Sequence, residues 1–151
     1  MTFRVLSIDG GGIRGVVAAT MLVSIEAYLN TPLNRYFDLI AGTSAGAIVA
    51  AGVALGLPSN EIVELFRQSG KEIFPYTSLW HPKRLGLILK HGISAPKFSG
   101  AGLAQVLQQV FGKTLFASVA PSKLLITAYD TLERQPMVLK SWYPEYVIPI
   151  L

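Results

Sequence analysis

The chain opens with a short apolar run, Phe3–Ile8, stopped by Asp9 and three glycines, which is the pattern of a buried strand. From Ile13 the apolar positions change to helical spacing. Val17, Met21, Ser24, Ile25 and Tyr28 fall on one face, and Asn30, Thr31 and Pro32 end the helix. Asp38–Ala41 reads as a second buried strand. Gly42-Thr43-Ser44-Ala45-Gly46 reads as a turn, and Ala45–Leu55 as a helix of small residues closed by Gly56 and Pro58. Ser59 stands at an N-cap position before a stripe of Ile62, Leu65, Phe66, Ser69 and Ile73. Phe74–Phe98 has no period. Ser99 precedes a further helix, striped by Leu103, Val106, Leu107, Val110 and Phe111 and stopped by Gly112. Lys123–Tyr129 and Met137–Ser141 read as strands joined by the polar connector Asp130–Pro136. This order predicts an α/β fold, a three-layer α/β/α arrangement around a mostly parallel sheet, with the last two strands forming a hairpin. No repeat or linker divides residues 1–151, which read as part of one domain.

Composition narrows the chemistry. With 151 residues, 51% apolar and 15% charged, the chain can bury a core and does not have a disordered composition. It has no cysteine, so a disulfide scaffold, a thiolate nucleophile and thiolate metal sites are excluded. With two histidines, His81 and His91, a metal site would need mostly carboxylates. The net charge of +4 is unevenly placed. Between Ile73 and Tyr129 there is no Asp or Glu, while Lys83, Arg84, Lys90, Lys97, Lys113 and Lys123 all lie there. Such a field suits an anionic surface, phospholipid or nucleic acid, or a solvated basic loop. No nucleic-acid-reading motif accompanies it, so no nucleic-acid partner is expected. Phe74–Arg84, followed by Leu85–Leu89, mixes aromatics, aliphatics and cations, as an interfacial lipid-binding segment or a core-covering surface loop would. The N-terminus lacks a signal-peptide pattern. Leu39–Leu57 is uncharged over a length near that of a membrane span, but Thr43, Ser44 and four glycines within it favour a buried strand followed by a buried helix.

Two glycine-rich turns carry the candidate chemistry. Gly42-x-Ser44-x-Gly46 lies between a strand and a helix, where a serine is held on a sharp bend with its hydroxyl pushed outward. The flanking glycines leave space where a Cβ would meet the neighbouring strand and helix. Asp9-Gly10-Gly11-Gly12-Ile13-Arg14-Gly15 also joins a strand to a helix. Its successive N–H groups can converge on an anion beside Arg14, which makes it a candidate oxyanion hole for acyl transfer. The same stretch spells Gly10-x-Gly12-x-x-Gly15, a dinucleotide fingerprint. Asp9 would put a carboxylate beside the pyrophosphate, however, and the second strand ends in Ala41 with no ribose-binding acid.

Together these turns resemble the patatin-like phospholipases. Ile8–Gly15 and Phe37–Gly46 are similar to that family's pattern, and the Gly100–Leu103 and Leu124–Asp130 regions follow it more loosely. The resemblance implies a serine lipid acyl hydrolase with a Ser–Asp dyad, acting on phospholipid or another acyl lipid without metal or cofactor. Ser44 would be the nucleophile, and Gly10, Gly11 and Gly12 the oxyanion hole. Arg14 and Gly15 would complete the loop, Asp9 would be structural in it, and Gly42 and Gly46 would shape the elbow. It also implies a cytoplasmic protein, peripheral to a membrane surface, of open oligomeric state. The family's Asp lies in a downstream Asp-Gly-Gly or Asp-Gly-Ala motif. Here the sole Asp-Gly is Asp9-Gly10, and the downstream Asp, Asp130, is followed by Thr131. The chain therefore reads as the N-terminal portion of a patatin-like domain, weakly active or inactive alone. His81, His91, Asp130 and Asp9 are the remaining candidate bases. A non-catalytic membrane- or partner-binding protein on the same scaffold is the alternative.

Overall fold

The computed structural model describes residues 2–73 and 101–143. Strand β1, Val5–Ile8, leads through a short 3-10 turn, Gly12–Arg14, into helix α1, Gly15–Leu29. A short helix α2, Leu33–Tyr36, precedes strand β2, Leu39–Thr43, and helix α3, Ala45–Ala54. Helix α4 spans Ser59–Ile73 and helix α5 spans Ala101–Phe111, followed by strands β3, Lys123–Asp130, and β4, Gln135–Lys140. The sheet order is β1-β2-β3-β4. The first three strands are parallel and β3–β4 is an antiparallel hairpin, so the sheet is mostly parallel, as expected. Leu39–Leu57 divides into β2 and the core helix α3, as its glycines and hydroxyls indicate.

Register puts Leu6, Ile40 and Leu124 in one row, and Ile8, Gly42, Ile126 and Leu139 in another, all on one face of the sheet. Helix α3 lies on that face against β1, β2 and β3, and is buried along nearly its whole length. Helices α1 and α4 pack on each other and on α3, and α5 packs on α4. The stripe expected for α4 is seated there, with Ile62, Phe66 and Ile73 buried. Val106 and Phe111 of the α5 stripe are buried as well. The opposite sheet face carries Val5, Ser7, Thr43 and Thr127, all exposed, and the half-buried Leu39, Ala41 and Leu125. The described residues thus present the sheet and one helical side of the expected three-layer arrangement.

Two local expectations are corrected. The first is the face of α1. Val17 is 56% exposed, Met21 64% and Tyr28 89%, while Gly15, Ala19 and Leu22 are buried. The partner explains it: a Cβ at Gly15 would lie 2.9 Å from the Phe66 ring of α4 and 3.3 Å from Cβ of Ala45. Close helix contact selects the small residues, and a helix apolar on all sides gives periodicity no means of choosing between faces. This stretch, Gly12–Leu29, is also long and apolar enough by length and composition to cross a membrane, although Arg14 and Glu26 lie within it. The second correction is the start of α4. Ser59 is the first helical residue, and its Oγ is buried with no hydrogen-bond partner among the described residues. Its N–H donates instead to Oε2 of Glu26, at 2.9 Å, so a carboxylate from α1 satisfies an amide of α4 at the positive end of that helix. The other ends follow the sequence: Asn30 closes α1 in the left-handed region, and Gly56 and Gly112 follow α3 and α5 with positive φ.

The packing of α1 sets a clear expectation. Ala19→Leu should overpack the α1 contact and cost about 1–3 kcal/mol, whereas Met21→Gln should stay within about 0.5 kcal/mol of the parent. Urea unfolding midpoints of the two variants measure the difference.

Candidate active site

Parallel pairing brings the two glycine turns together. β1 and β2 are neighbours, with Ile8 in register with Gly42, so the segments leaving them emerge side by side at the same edge of the sheet. Ser44 lies between β2 and α3, outside both, with φ 55° and ψ −125°. A non-glycine residue held there stores about 1–3 kcal/mol of backbone strain and persists only where its surroundings fix it. The Ser44 side chain is exposed. The Ser44 carbonyl accepts a hydrogen bond from the Ala47 N–H at 2.9 Å, which starts α3 directly after the bend.

The surroundings that fix the bend can be named. A Cβ on Gly46 would collide with the carbonyl oxygens of Ile8 and Asp9, and one on Gly42 would collide with the Gly46 carbonyl and lie 2.7 Å from Cα of Ala47. The bend is therefore closed on itself and pressed onto the end of β1. The facing turn is equally near: a Cβ on Gly10 would lie 2.9 Å from the Thr43 carbonyl oxygen and 3.0 Å from Cβ of Ser44. Gly12 has φ 60°, a conformation that suits glycine, and the Arg14 N–H donates to the Gly11 carbonyl at 3.2 Å.

The structure thus brings together Ser44, Gly10, Gly42, Gly46 and the backbone of Asp9. Gly10, Gly11, the Asp9 side chain and Arg14 are exposed around the turn, Gly12 is half-buried, and Gly15 is buried beneath Phe66. Asp130 is not brought to this site as a free carboxylate. Its Oδ1 accepts the N–H groups of Leu132 at 2.8 Å and Glu133 at 3.0 Å, which shapes the β3–β4 turn. His81, His91 and the Phe74–Leu89 segment lie outside the described residues. Among the described residues no cluster of three or more potential ligands could hold a metal ion. A recess of about 400 Å³, lined by Val23, Glu26, Asn30, Pro32 and Asn60, lies at the far end of α1 from the glycine turn. The structure adds one residue that periodicity did not single out. Thr127 of β3 pairs in register with Thr43, and their Oγ1 atoms are 2.6 Å apart.

These features define an α/β protein with a bent, exposed serine beside a glycine turn at the edge of its sheet. Residues 6–147 match the family described as patatin-like phospholipase, and the chain belongs to that family. It is 42% identical over 113 residues to a cGAMP-activated phospholipase of Pseudomonas aeruginosa, covering 75% of this chain and 32% of that protein. It is 30% identical over 146 residues to the protein of the same description from Escherichia coli, covering 91% of this chain and 39% of that one. It is also 34% identical over 148 residues to Patatin-17 of Solanum cardiophyllum, covering 89% of this chain and 35% of that one. The chain therefore spans between 32% and 39% of the length of these relatives.

The geometry yields two expectations. Ser44→Gly should relieve the strained backbone and raise stability by about 1 kcal/mol net of the entropy cost of glycine. Gly46→Ala should lower it by about 1–3 kcal/mol, because the new methyl has no free volume against β1. Thermal unfolding of the two variants against the parent measures both signs.

Proposed function

We propose that the protein is a serine lipid acyl hydrolase of the phospholipase A or esterase type, with Ser44 as its nucleophile. The observation that carries this reading is the exposed Ser44 on its strained bend, packed directly against Gly10 of the adjoining glycine turn. In the proposed reaction Ser44 Oγ attacks the acyl ester carbonyl carbon while a general base takes the hydroxyl proton. The carbonyl oxygen becomes an oxyanion and accepts hydrogen bonds from the amides of Gly10, Gly11 and Gly12. The tetrahedral intermediate collapses, the ester C–O bond breaks, and the alcohol portion leaves with the proton. Water then attacks the acyl-serine, releasing the fatty acid and restoring the Ser44 hydroxyl. Gly42 and Gly46 hold the bend, Arg14 and Gly15 complete the glycine turn, and Asp9 supports it through its backbone.

In this reading Asp9 is structural and the base lies elsewhere. Asp130 is engaged in its own turn, and the resemblance to the family places the base in a downstream Asp-Gly-Gly or Asp-Gly-Ala motif. The 151-residue chain by itself is accordingly proposed to turn over weakly or not at all. The substrate is a phospholipid or related acyl lipid, met at a membrane surface by a peripheral protein on the cytoplasmic side. The exposed Ile13, Val17 and Met21, which lead away from the glycine turn along α1, support that peripheral contact.

A fluorophosphonate probe tests the nucleophile. Labelling of the protein that disappears in Ser44→Ala is the expected result, together with ester hydrolysis by the full-length protein that falls by at least about 1000-fold in the same variant. Absence of labelling in the full-length protein would instead support a non-catalytic binder on this scaffold.

A further inference from the structure

We infer that Thr127 is a positioning residue for the Ser44 bend, acting through a hydroxyl pair with Thr43. The inference rests on the reading of Ser44 as nucleophile and extends it to β3, outside the two glycine turns. Thr43 is the last residue of β2, and its two flanks differ. Pairing with β1 ends one residue earlier, at Ile8 and Gly42, so on that side Thr43 is held by the contact of its carbonyl with Gly10. On the other side pairing with β3 continues through Thr43 and Thr127, the final rung of the parallel ladder. There the two Oγ1 atoms lie 2.6 Å apart, within the usual range for a hydroxyl–hydroxyl hydrogen bond.

The next residue after this rung is Ser44, at φ 55°. A strained bend at the open end of a strand relaxes if the strand peels from its neighbour. The hydroxyl pair opposes that peeling from the β3 side, as the Gly10 and Gly46 contacts oppose movement toward β1. Both threonines are exposed on the open sheet face, so the pair adds little to global stability. Its effect is local: it keeps the end of β2 on the ladder and limits the directions in which the Ser44 hydroxyl can point. Position within the reaction geometry is where a small displacement is felt as rate.

The test compares Thr127→Val, which keeps branching and volume but removes the hydroxyl, with Thr127→Ser, which keeps the hydroxyl. Three readouts are taken on the protein: the rate constant for fluorophosphonate labelling of Ser44, amide hydrogen exchange at Thr43 and Ser44, and the thermal midpoint. The expected result for Thr127→Val is labelling slowed about 3- to 10-fold and exchange at those two amides accelerated by a similar factor, with the thermal midpoint unchanged. Thr127→Ser should stay within about twofold of the parent in both. Parent-like labelling and exchange in Thr127→Val would overturn the inference. So would equal losses in both variants, which would assign the effect to the methyl group. The labelling is done on the full-length protein: if that parent does not label, the nucleophile reading fails, and the exchange measurement still decides whether Thr127 holds the bend.

Discussion

The arrangement at the sheet edge depends on how little space separates the last carbonyls of β1 from the first turn of α3. Gly46 sits against the carbonyls of Ile8 and Asp9 with no volume for a side chain, and Gly42 sits equally close to the backbone of Gly46 and Ala47. Once these contacts are made, the chain between β2 and α3 has a single route, and that route passes through a positive φ at Ser44. The strain is held in place by the close packing at Gly10, Gly42 and Gly46, and the side chain at the bend is left exposed while its neighbours Ala45 and Gly46 are buried. An exposed, bent position is obtained here from packing constraints on glycine and alanine, with the Thr43–Thr127 hydroxyl pair beside it.

The same economy of volume runs through the helical layer. α3 is a ten-residue helix whose largest side chains are Ile48 and the valines, and it lies directly on the sheet. α1 approaches α3 and α4 through Gly15 and Ala19, which lets the Phe66 ring fill the space between the helices. Close approach at Gly15 and Ala19 leaves Val17, Met21 and Tyr28 of α1 outside. The apolar outer face of that helix is thus the counterpart of its tight inner one.

Much of this was legible from sequence, and the reasons differ by element. The strand–helix order, the closing hairpin and the faces of α4 and α5 follow from apolar spacing because each of those helices has a polar side for contrast. Ser44 and its glycines could be located because a small-residue turn between a strand and a helix leaves few conformations. The inner face of α1 was not legible, since its apolar residues surround the helix and its neighbour selects for smallness. The start of α4 was misread because its amide is satisfied by Glu26, 33 residues earlier, and no local pattern announces that bond. Thr127 stayed hidden for a similar reason. Its relation to Thr43 exists through strand register across 84 residues and has no signature in either segment alone.

The bond between Glu26 and the first amide of α4 has a mechanical meaning. α1 and α4 are joined by it at one end, and at the other by Gly15 beneath Phe66 and by Ile13 packed against Gly70. Two antiparallel rods fastened at both ends behave as a splint. The glycine turn adjoins the end of that splint held by Gly15 and Ile13, about 20 Å from the Glu26 carboxylate at the other end, given the rise of an α-helix. A turn with four glycines among its seven residues, Asp9–Gly15, is thereby continuous with a helix fastened at both ends.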